Sequence, residues 1–334
     1  MFVIESYPLA VVLCVVTMLC WGSWANTQKL AGSRWRFELF YWDYVIGVFL
    51  MALVFAFTLG SHGSLGRSFM FDLKQADPVN LGWAALGGVI FNAANIMLVA
   101  AIAIAGMAVA FPVGIGLALI VGVGVNYVAK PGGNPGLLAL GVAFVTAAIV
   151  LDALAYRRLP GQVQASKKGL ILSLLCGLLM GTFYVCVARS MADMKGPNAF
   201  QEGKLTPYTA MVSFALGILV SNIAFNTLMM RRPVSGEPVS YGDYFRGRLA
   251  DHLWGIVGGA IWAVGMTLSI IASGEAGPAI SYGLGQGATL IAAIWGVFIW
   301  REFRSAPKGT NTLLTLMFAC FAIGITLLIV ARQA

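Results

Sequence analysis

An aspartate within an apolar stretch is the feature of this sequence with the clearest capacity for chemistry. Asp43 lies in the segment FELFYWDYVIG, and charged side chains inside membrane-spanning segments are costly and usually functional. Burial favours the un-ionised form of a carboxyl group, so Asp43 could bind and release a proton near neutral pH. The alternative is a carboxylate at the membrane interface that pairs with Arg34 or Arg36. The sequence thus predicts Asp43 as a proton-coupling residue and leaves that pairing open.

Amide and aromatic side chains at helical spacing form a second candidate site. Trp24 and Gln28 share one helical face, and Asn92 and Asn95 lie three residues apart. Amides donate to and accept from hydroxyl groups or ring carbonyls, and aromatic rings cover apolar faces, which suits a sugar or a neutral heterocycle. The alternative is that the same groups hydrogen-bond helices to one another. The residues predicted to line the solute site are Trp24, Gln28, Asn92, Asn95, Trp262, Tyr282 and Gln286.

Other chemistries have little support in the sequence. There is no Walker A pattern, so ATP is not expected as the energy source. His62 and His252 are the only histidines and lie far apart along the chain, while the five cysteines fall in apolar stretches without metal-binding spacing. We therefore predict that the protein is not an enzyme and has no cofactor and no metal site. Glu275, in a tight turn, and Glu302, after Trp300, are expected to be solvated.

The composition predicts an all-α membrane protein. The 334 residues are 59% hydrophobic and only 10% charged, whereas a soluble domain carries about 25% charged residues. Each membrane-spanning helix needs roughly 20 apolar residues. The net charge of +8 comes mostly from short loops, where it indicates topology rather than nucleic-acid binding. Ten apolar stretches can be drawn, at about 7–30, 38–60, 80–104, 107–129, 136–156, 169–191, 207–229, 252–273, 277–300 and 311–331.

The two halves of the chain share a pattern of glycines. A shift of 171 positions brings Gly87 onto Gly258 and the tight turn at Gly106 onto Gly277. With five spans in each half, the second half starts on the opposite side of the membrane, which is an inverted repeat typical of secondary transporters. Helix-weakening motifs around Pro112 and in 283–287 occupy equivalent places. The predicted organisation is a first five-helix repeat (1–156), a cytoplasmic linker (157–168) and a second five-helix repeat (169–334).

The distribution of basic residues predicts the orientation. About two thirds of the 21 Lys and Arg residues fall in the odd-numbered loops, which the positive-inside rule places in the cytoplasm. Both termini are then on the outer, periplasmic side of the cell (inner) membrane. The N-terminal segment has no basic region before its apolar stretch, so it is treated as the start of the first helix.

Five segments carry a resemblance to a known family. The chain resembles bacterial ten-helix members of the drug/metabolite transporter superfamily, in the branch that holds the glucose/ribose porters, the rhamnose–proton symporter and the plant ureide permeases. The segments are CWGSWANTQKL (20–30), FYWDY (40–44), GMAVAFPVGIGLALIVG (106–122), KKGLILSLLCGLLMG (167–181) and SYGLGQGATLIAAIWGVFIWREF (281–303).

The resemblance implies a central cavity between two inverted halves. It also implies uptake of a monosaccharide or a ureide-type heterocycle, proton-coupled or facilitative, and it strengthens the assignment of Asp43 because FYWDY is similar to a ureide permease segment. The leading hypothesis is proton-coupled import of a monosaccharide by alternating access. The alternatives are a ureide or nucleobase permease and a drug or metabolite exporter. The expected partners are the solute, the proton and the lipid bilayer, without nucleic acid or ATP.

Overall fold

Ten long helices dominate the computed structural model, which describes residues 1–32, 34–63, 65–160, 166–195 and 199–332. Each is long and apolar enough to cross a membrane, and no β-strand forms within the described ranges. The all-α, ten-span prediction is therefore confirmed. Residues 161–165 of the predicted linker lie outside the described ranges. The helices are α1 (Tyr7–Ala31), α2 (Phe37–Phe57), α3 (Pro78–Ala105), α4 (Ala108–Ala129), α5 (Pro135–Arg157), α6 (Lys167–Ser190), α7 (Pro207–Arg231), α8 (Leu249–Ala276), α9 (Pro278–Ile299) and α10 (Thr310–Val330).

Local sequence signals set the ends of several helices. The side chain of Asp77 accepts a hydrogen bond from the backbone N–H of Val79, and Pro78 occupies the first turn of α3. Asn134 caps α5 in the same way, ahead of Pro135. These caps satisfy backbone N–H groups that have no partner inside the helix.

Two glycines allow the chain to reverse between neighbouring helices. Gly106 ends α3 with a φ of 74°, and Gly277 ends α8 with a φ of 83°. Positive φ values are accessible to glycine without a steric penalty, so each long apolar run folds into two helices with a very short turn. The tight helical hairpins predicted at these positions are confirmed.

Three of the helices are interrupted. α1 is broken by a turn at Trp24, and α4 contains a π-helical segment at Phe111–Gly116 around Pro112. α9 loses its regular hydrogen bonding between Gly285 and Ala288, and a second π-helical segment covers Trp295–Ile299. The interruptions predicted in α4 and α9 are present, and such irregular turns are frequent at functional sites.

Glycines bring α2 and α8 into backbone contact. A Cβ atom on Gly259 would lie 1.9 Å from the carbonyl oxygen of Tyr44, and one on Gly47 would lie 2.2 Å from that of Ile256. Both distances are shorter than any real contact of a Cβ atom. Only glycine therefore allows these two helices to approach as closely as they do.

The contact between α3 and α7 has the same construction. A Cβ atom on Gly88 would lie 2.0 Å from the carbonyl oxygen of Phe214, and one on Gly217 would lie 2.1 Å from that of Ala85. Helix packing is matched elsewhere too, since α3 packs on α6 as α8 packs on α1. The inverted repeat remains a prediction, which this matched packing favours.

Candidate functional site

Aromatic rings from four helices meet around Tyr44 and Trp262. The ring centroid of Tyr44 lies 4.7 Å from that of Trp24, 5.3 Å from that of Tyr41 and 6.4 Å from that of Trp262. Trp262 also lies 4.4 Å from Phe91 on α3. The break in α1 falls at Trp24, so the irregular turn and the aromatic cluster coincide.

Two amides border the aromatic cluster. The Tyr41 hydroxyl donates to Oδ1 of Asn92 at 2.9 Å and accepts from Nδ2 of Asn95 at 3.1 Å. Nδ2 of Asn92 also donates to the Ser221 hydroxyl on α7. Asn92 and Asn95 are 0% and 4% exposed, so these groups are almost completely shielded from solvent. The network joins α2, α3 and α7 through polar contacts.

The Tyr44 hydroxyl is buried without a hydrogen-bond partner among the described residues. Leaving a buried hydroxyl unpaired costs about 1–3 kcal/mol, so such groups call for an explanation. The rings of Trp24, Tyr41 and Trp262 pack around the Tyr44 ring that carries this hydroxyl. A polar group held open between aromatic faces is suited to bind a solute that carries its own hydrogen-bonding groups.

Asp43 is surrounded by three hydrogen-bond partners. Its Oδ1 accepts from the Tyr244 hydroxyl at 2.6 Å and lies 2.9 Å from Nδ1 of His252, while Nε1 of Trp35 donates to Oδ2 at 3.3 Å. The Asp43 residue is 1% exposed. The alternative pairing with an arginine of the preceding loop is not what the structure contains.

The two arginines of that loop pair with other carboxylates. Arg34 contacts Asp251 at 3.0 Å, and Arg36 contacts Glu38 at 2.7 Å. Tyr244 belongs to the short helix Tyr241–Phe245, in the connection between α7 and α8. Burial and the hydrogen bond to Asp43 raise the pKa of Tyr244 above its ordinary value, so its hydroxyl stays a donor at physiological pH.

The remaining predicted solute-site residues lie outside this cluster of contacts. The Tyr282 ring packs on Phe183 and Tyr184, and its hydroxyl donates to the backbone carbonyls of Met180 and Ala118. Those bonds fix α9 against α6 and α4. Gln286 lies in the interruption of α9 and is 8% exposed.

Gln28 lies one turn beyond Trp24 and is half-buried on the last segment of α1. Of the predicted residues, Trp24, Asn92, Asn95 and Trp262 meet in one place. The structure thus gathers four of the seven around Tyr41 and Tyr44, and it connects Tyr282 to them through Phe183, which packs on Phe91 and Phe214.

Sequence reasoning missed four residues of this region. Tyr41 and Tyr44 lie three residues apart on α2, and that spacing could have indicated a shared face directed at the amides. His252 and Tyr244 gave no such signal, because their contact with Asp43 spans more than 200 residues of chain. Only the folded arrangement brings these side chains to the carboxylate.

The two glutamates expected to be solvated are largely buried. The side chain of Glu302 is 28% exposed and that of Glu275 is 14% exposed, and each forms a 2.7 Å ion pair, with Lys29 and Lys195 respectively. The expectation was wrong because a residue in a turn or at a helix end was assumed to be exposed to solvent. Burial alone raises the pKa of Glu302, but the hydrogen bonds from Lys29 and Tyr156 outweigh it and leave the pKa below its ordinary value.

No group of three or more His, Cys, Asp or Glu side chains is arranged to hold a metal ion within the described ranges. A cavity of about 890 Å³ lies between α4 and α5 rather than at the aromatic cluster. Its walls are apolar, with Ile120, Leu138 and Val142 among the lining residues. It therefore offers few groups that could orient a polar solute.

The fold and site define a polytopic membrane protein with a buried, aromatic and polar centre. Residues 162–331, half of the chain, match the family model described as Ureide permease. The chain belongs to the ureide permease family.

Curated relatives agree with this assignment over the whole chain. Ureide permease 1 of Arabidopsis thaliana is 21% identical, and the alignment covers 98% of each protein. Ureide permease 5 of the same plant is 23% identical, over 98% of this chain and 95% of the relative. A solved structure described as "Crystal structure of protein" shares the fold, with a TM-score of 0.57 and 18% identity over 98% of this chain and 99% of the other.

These relatives establish a multi-pass membrane transporter of small solutes. They are ureide permeases rather than sugar porters. The alternative raised from the sequence therefore fits better than the monosaccharide hypothesis.

Proposed function

We propose that this protein is a secondary transporter of a planar, ureide-type heterocycle. The observation that carries this proposal is the unpaired Tyr44 hydroxyl, buried among the rings of Trp24, Tyr41 and Trp262. A flat ring that bears N–H and C=O groups could stack on these faces and supply the missing hydrogen bond. The names of the relatives point to the same class of solute.

A monosaccharide is the less favoured solute. A sugar presents hydroxyl groups all round its ring and needs several amides directed at them. Both amides of the cluster already bond to Tyr41, Asn92 through Oδ1 and Asn95 through Nδ2. The aromatic faces outnumber the free polar groups, which suits a heterocycle. Export of an apolar drug is disfavoured by the same polar border.

The transport cycle is proposed to be alternating access between two inverted five-helix repeats. Tyr44 and Trp262 are 0% and 4% exposed, so a solute can reach them only after helices move. The glycine contacts of α2 with α8 and of α3 with α7 are matched, so the two halves could move as similar units. We further propose that the odd-numbered loops face the cytoplasm of a cell inner membrane.

Asp43 is proposed to couple transport to the proton, without ATP. It follows Trp42 and precedes Tyr44 on α2, so a change in its protonation acts on the helix that carries the site tyrosines. Protonation would weaken its attraction to His252 and change its hydrogen bond with Tyr244. Either change would alter how the α7–α8 connection covers this end of α2.

A binding screen tests the proposed solute. Purified protein in lipid nanodiscs is titrated with allantoin as a ureide, uracil as a nucleobase, and glucose, ribose and rhamnose as monosaccharides, and tryptophan fluorescence is recorded. Allantoin or uracil should quench the fluorescence saturably, because Trp24 and Trp262 lie in the cluster.

The variant Trp262→Phe should lose most of this signal, and Trp83→Phe serves as the control because Trp83 stacks under Arg189 instead. Saturable quenching by a monosaccharide, with none by either heterocycle, would overturn the proposal. The same screen therefore decides between the two solute classes.

A further inference from the structure

Asp152 is a buried carboxylic acid that the proposed transport site does not use. It lies near the end of α5, is 8% exposed, and its Oδ1 has no hydrogen-bond partner in the part of the chain that the structure describes. No ion pair reaches it within those residues either. An ionised carboxylate buried without a partner is strongly unfavourable, and such a group neutralises by binding a proton.

A second acid lies beside Asp152. Tyr156 is one helical turn further along α5, and its hydroxyl donates to Oε2 of Glu302 at 2.6 Å. A negative charge on Glu302, next to this turn of α5, disfavours a second negative charge on Asp152. The other oxygen of Glu302 pairs with Lys29 on α1 at 2.7 Å. Glu302 thus contacts Lys29 directly and is joined through Tyr156 to the turn of α5 that carries Asp152.

The helices packed against α5 bring no further charge to this place. α4 and α10 contain no acidic or basic residue, and their titratable groups are Tyr127, near the turn between α4 and α5, and Cys320. The basic residues at the end of α5 and after α9 are exposed, namely Arg157, Arg158, Arg301, Arg304 and Lys308. With one proton the three groups Lys29, Glu302 and Asp152 are electrically neutral, and without it they carry a net negative charge.

We propose that Asp152 is a proton-binding site, occupied in this arrangement and separate from Asp43. The proton is held as the O–H of the Asp152 carboxyl group, while Glu302 remains the carboxylate that pairs with Lys29. When the proton leaves to water, two carboxylates are left with the single positive charge of Lys29, which Glu302 contacts directly. The proton therefore determines how firmly Lys29 is held by Glu302.

This site acts on the segment of α1 that carries the solute-site tryptophan. On either side of the break at Trp24, residues on one stripe of α1 contact residues at the end of α9 and just after it, and we call these contacts the α1–α9 latch. The latch consists of Ser23 with Trp295 at 2.9 Å, Asn26 with Trp300 at 2.6 Å, and Lys29 with Glu302. Proton loss at Asp152 is expected to loosen the latch at Lys29 first.

Infrared spectroscopy of solute-free protein in lipid vesicles tests the proposal directly. An un-ionised carboxyl group has a carbonyl stretch separate from that of a carboxylate, and the band shifts in D₂O. The wild type should show this band near neutral pH, and Asp152→Asn should remove one carboxyl group from it. Asp43→Asn, the same change at a buried acid on α2, should leave that contribution in place. An unchanged band in a folded Asp152→Asn protein would overturn the proposal.

Glu302→Gln provides a second measurement that does not depend on the folding of the Asp152 variant. Removing the neighbouring negative charge and freeing Lys29 both favour ionised Asp152, so the band should disappear at a lower pH than in the wild type. Tyr156→Phe should change this titration less, because it leaves both charges of the ion pair in place. An identical titration in wild type and Glu302→Gln would contradict the proposal. The measurement contains no solute, so its outcome is independent of which solute is transported.

Discussion

The contact of α2 with α8 and the contact of α7 with α3 share their packing but not their chemistry. In the first, Gly259 lies under the carbonyl oxygen of Tyr44, and in the second, Gly88 lies under that of Phe214. The backbones approach equally closely at both places. The close approach is therefore a property of the glycines and does not require the polar residues found in one of the two contacts.

The side chains at matching positions differ in kind. Where α2 has Tyr41, Asp43 and Tyr44, α7 has Met211, Ser213 and Phe214 at the same spacing. The first set holds the amide network, the buried carboxylate and the unpaired hydroxyl, whereas Ser213 donates only to a backbone carbonyl of α3. The contact of α2 with α8 thus combines the packing with binding groups, whereas the contact of α7 with α3 provides the packing alone.

Loss of a glycine at either contact is expected to have the largest effect. Gly259→Ala and Gly88→Ala would each place a Cβ atom about 2 Å from a carbonyl oxygen, so the helices must separate. We expect each to lower the free energy of unfolding by about 3 kcal/mol or more, similarly in the two variants. Thermal unfolding in detergent measures this.

Gly82→Ala is the matched control, since it lies on the same helix as Gly88 and a Cβ atom there meets nothing within 4 Å. It should leave stability unchanged or raise it by up to about 1 kcal/mol. Full stability of Gly88→Ala alongside a destabilised Gly259→Ala would show that the two contacts do not depend on glycine in the same way.

Replacement of the buried carboxylate should affect only one of the two contacts. Asp43→Asn keeps the size of the side chain but removes the charge that attracts His252. We expect accumulation of allantoin in proteoliposomes to fall to the level set by the solute gradient alone, while exchange of allantoin across the membrane continues. Ser213→Ala at the matching position of α7 should retain proton-driven accumulation. Unchanged accumulation in Asp43→Asn would remove that residue from the coupling mechanism.

The two tyrosines of α2 should respond in opposite directions to loss of the hydroxyl. Tyr44→Phe removes a buried group without a partner, so we expect stability to rise by about 1 kcal/mol and allantoin binding to weaken roughly tenfold. Tyr41→Phe leaves Asn92 and Asn95 short of a partner and should destabilise the protein by about 1–3 kcal/mol. Thermal unfolding and fluorescence titration separate the two effects. Equal behaviour of the two variants would contradict the distinction between a binding hydroxyl and a structural one.

The sequence predicted the spans and part of the site because those features are local. Hydropathy over windows of about 20 residues locates the helices, and Gly106 and Gly277 indicate the turns within two long apolar runs. Trp24, Asn92, Asn95 and Trp262 could be selected individually as polar or amphipathic residues in apolar segments. Their meeting at Tyr44 could not be predicted, because it depends on how α1, α2, α3 and α8 pack.

Residue spacing did not predict side-chain contacts between residues that are far apart in the sequence. His252 was given no role because it lies far from His62 along the chain, although it contacts Asp43 across 209 positions. Glu302 was expected in solvent, although it forms an ion pair with Lys29, 273 positions away along the chain. In both cases spacing along the chain carried no information on the contact, and only the helix arrangement supplies it.

The smallest expected effects concern two ion pairs at opposite ends of the helix bundle. Lys29 and Glu302 join the end of α1 to the segment after α9, and Lys130 and Asp193 join the segments after α4 and α6. Both pairs are partly exposed, so each contributes about 1 kcal/mol or less. Glu302→Gln should speed hydrogen exchange in 25–31, and Asp193→Asn should do so in 126–130 instead.

Acid should have the same effect as the Glu302→Gln substitution. Glu302 has a lowered pKa in the folded protein, so its ion pair stabilises the fold at pH values above the ordinary glutamate range and is lost as the pH falls through that lowered pKa. Hydrogen exchange in 25–31 of the wild type should therefore quicken on acidification, after correction for the intrinsic exchange rate. In Glu302→Gln it should be fast already and nearly independent of pH. Equal acid sensitivity in the two proteins would show that a group other than Glu302 causes the pH response.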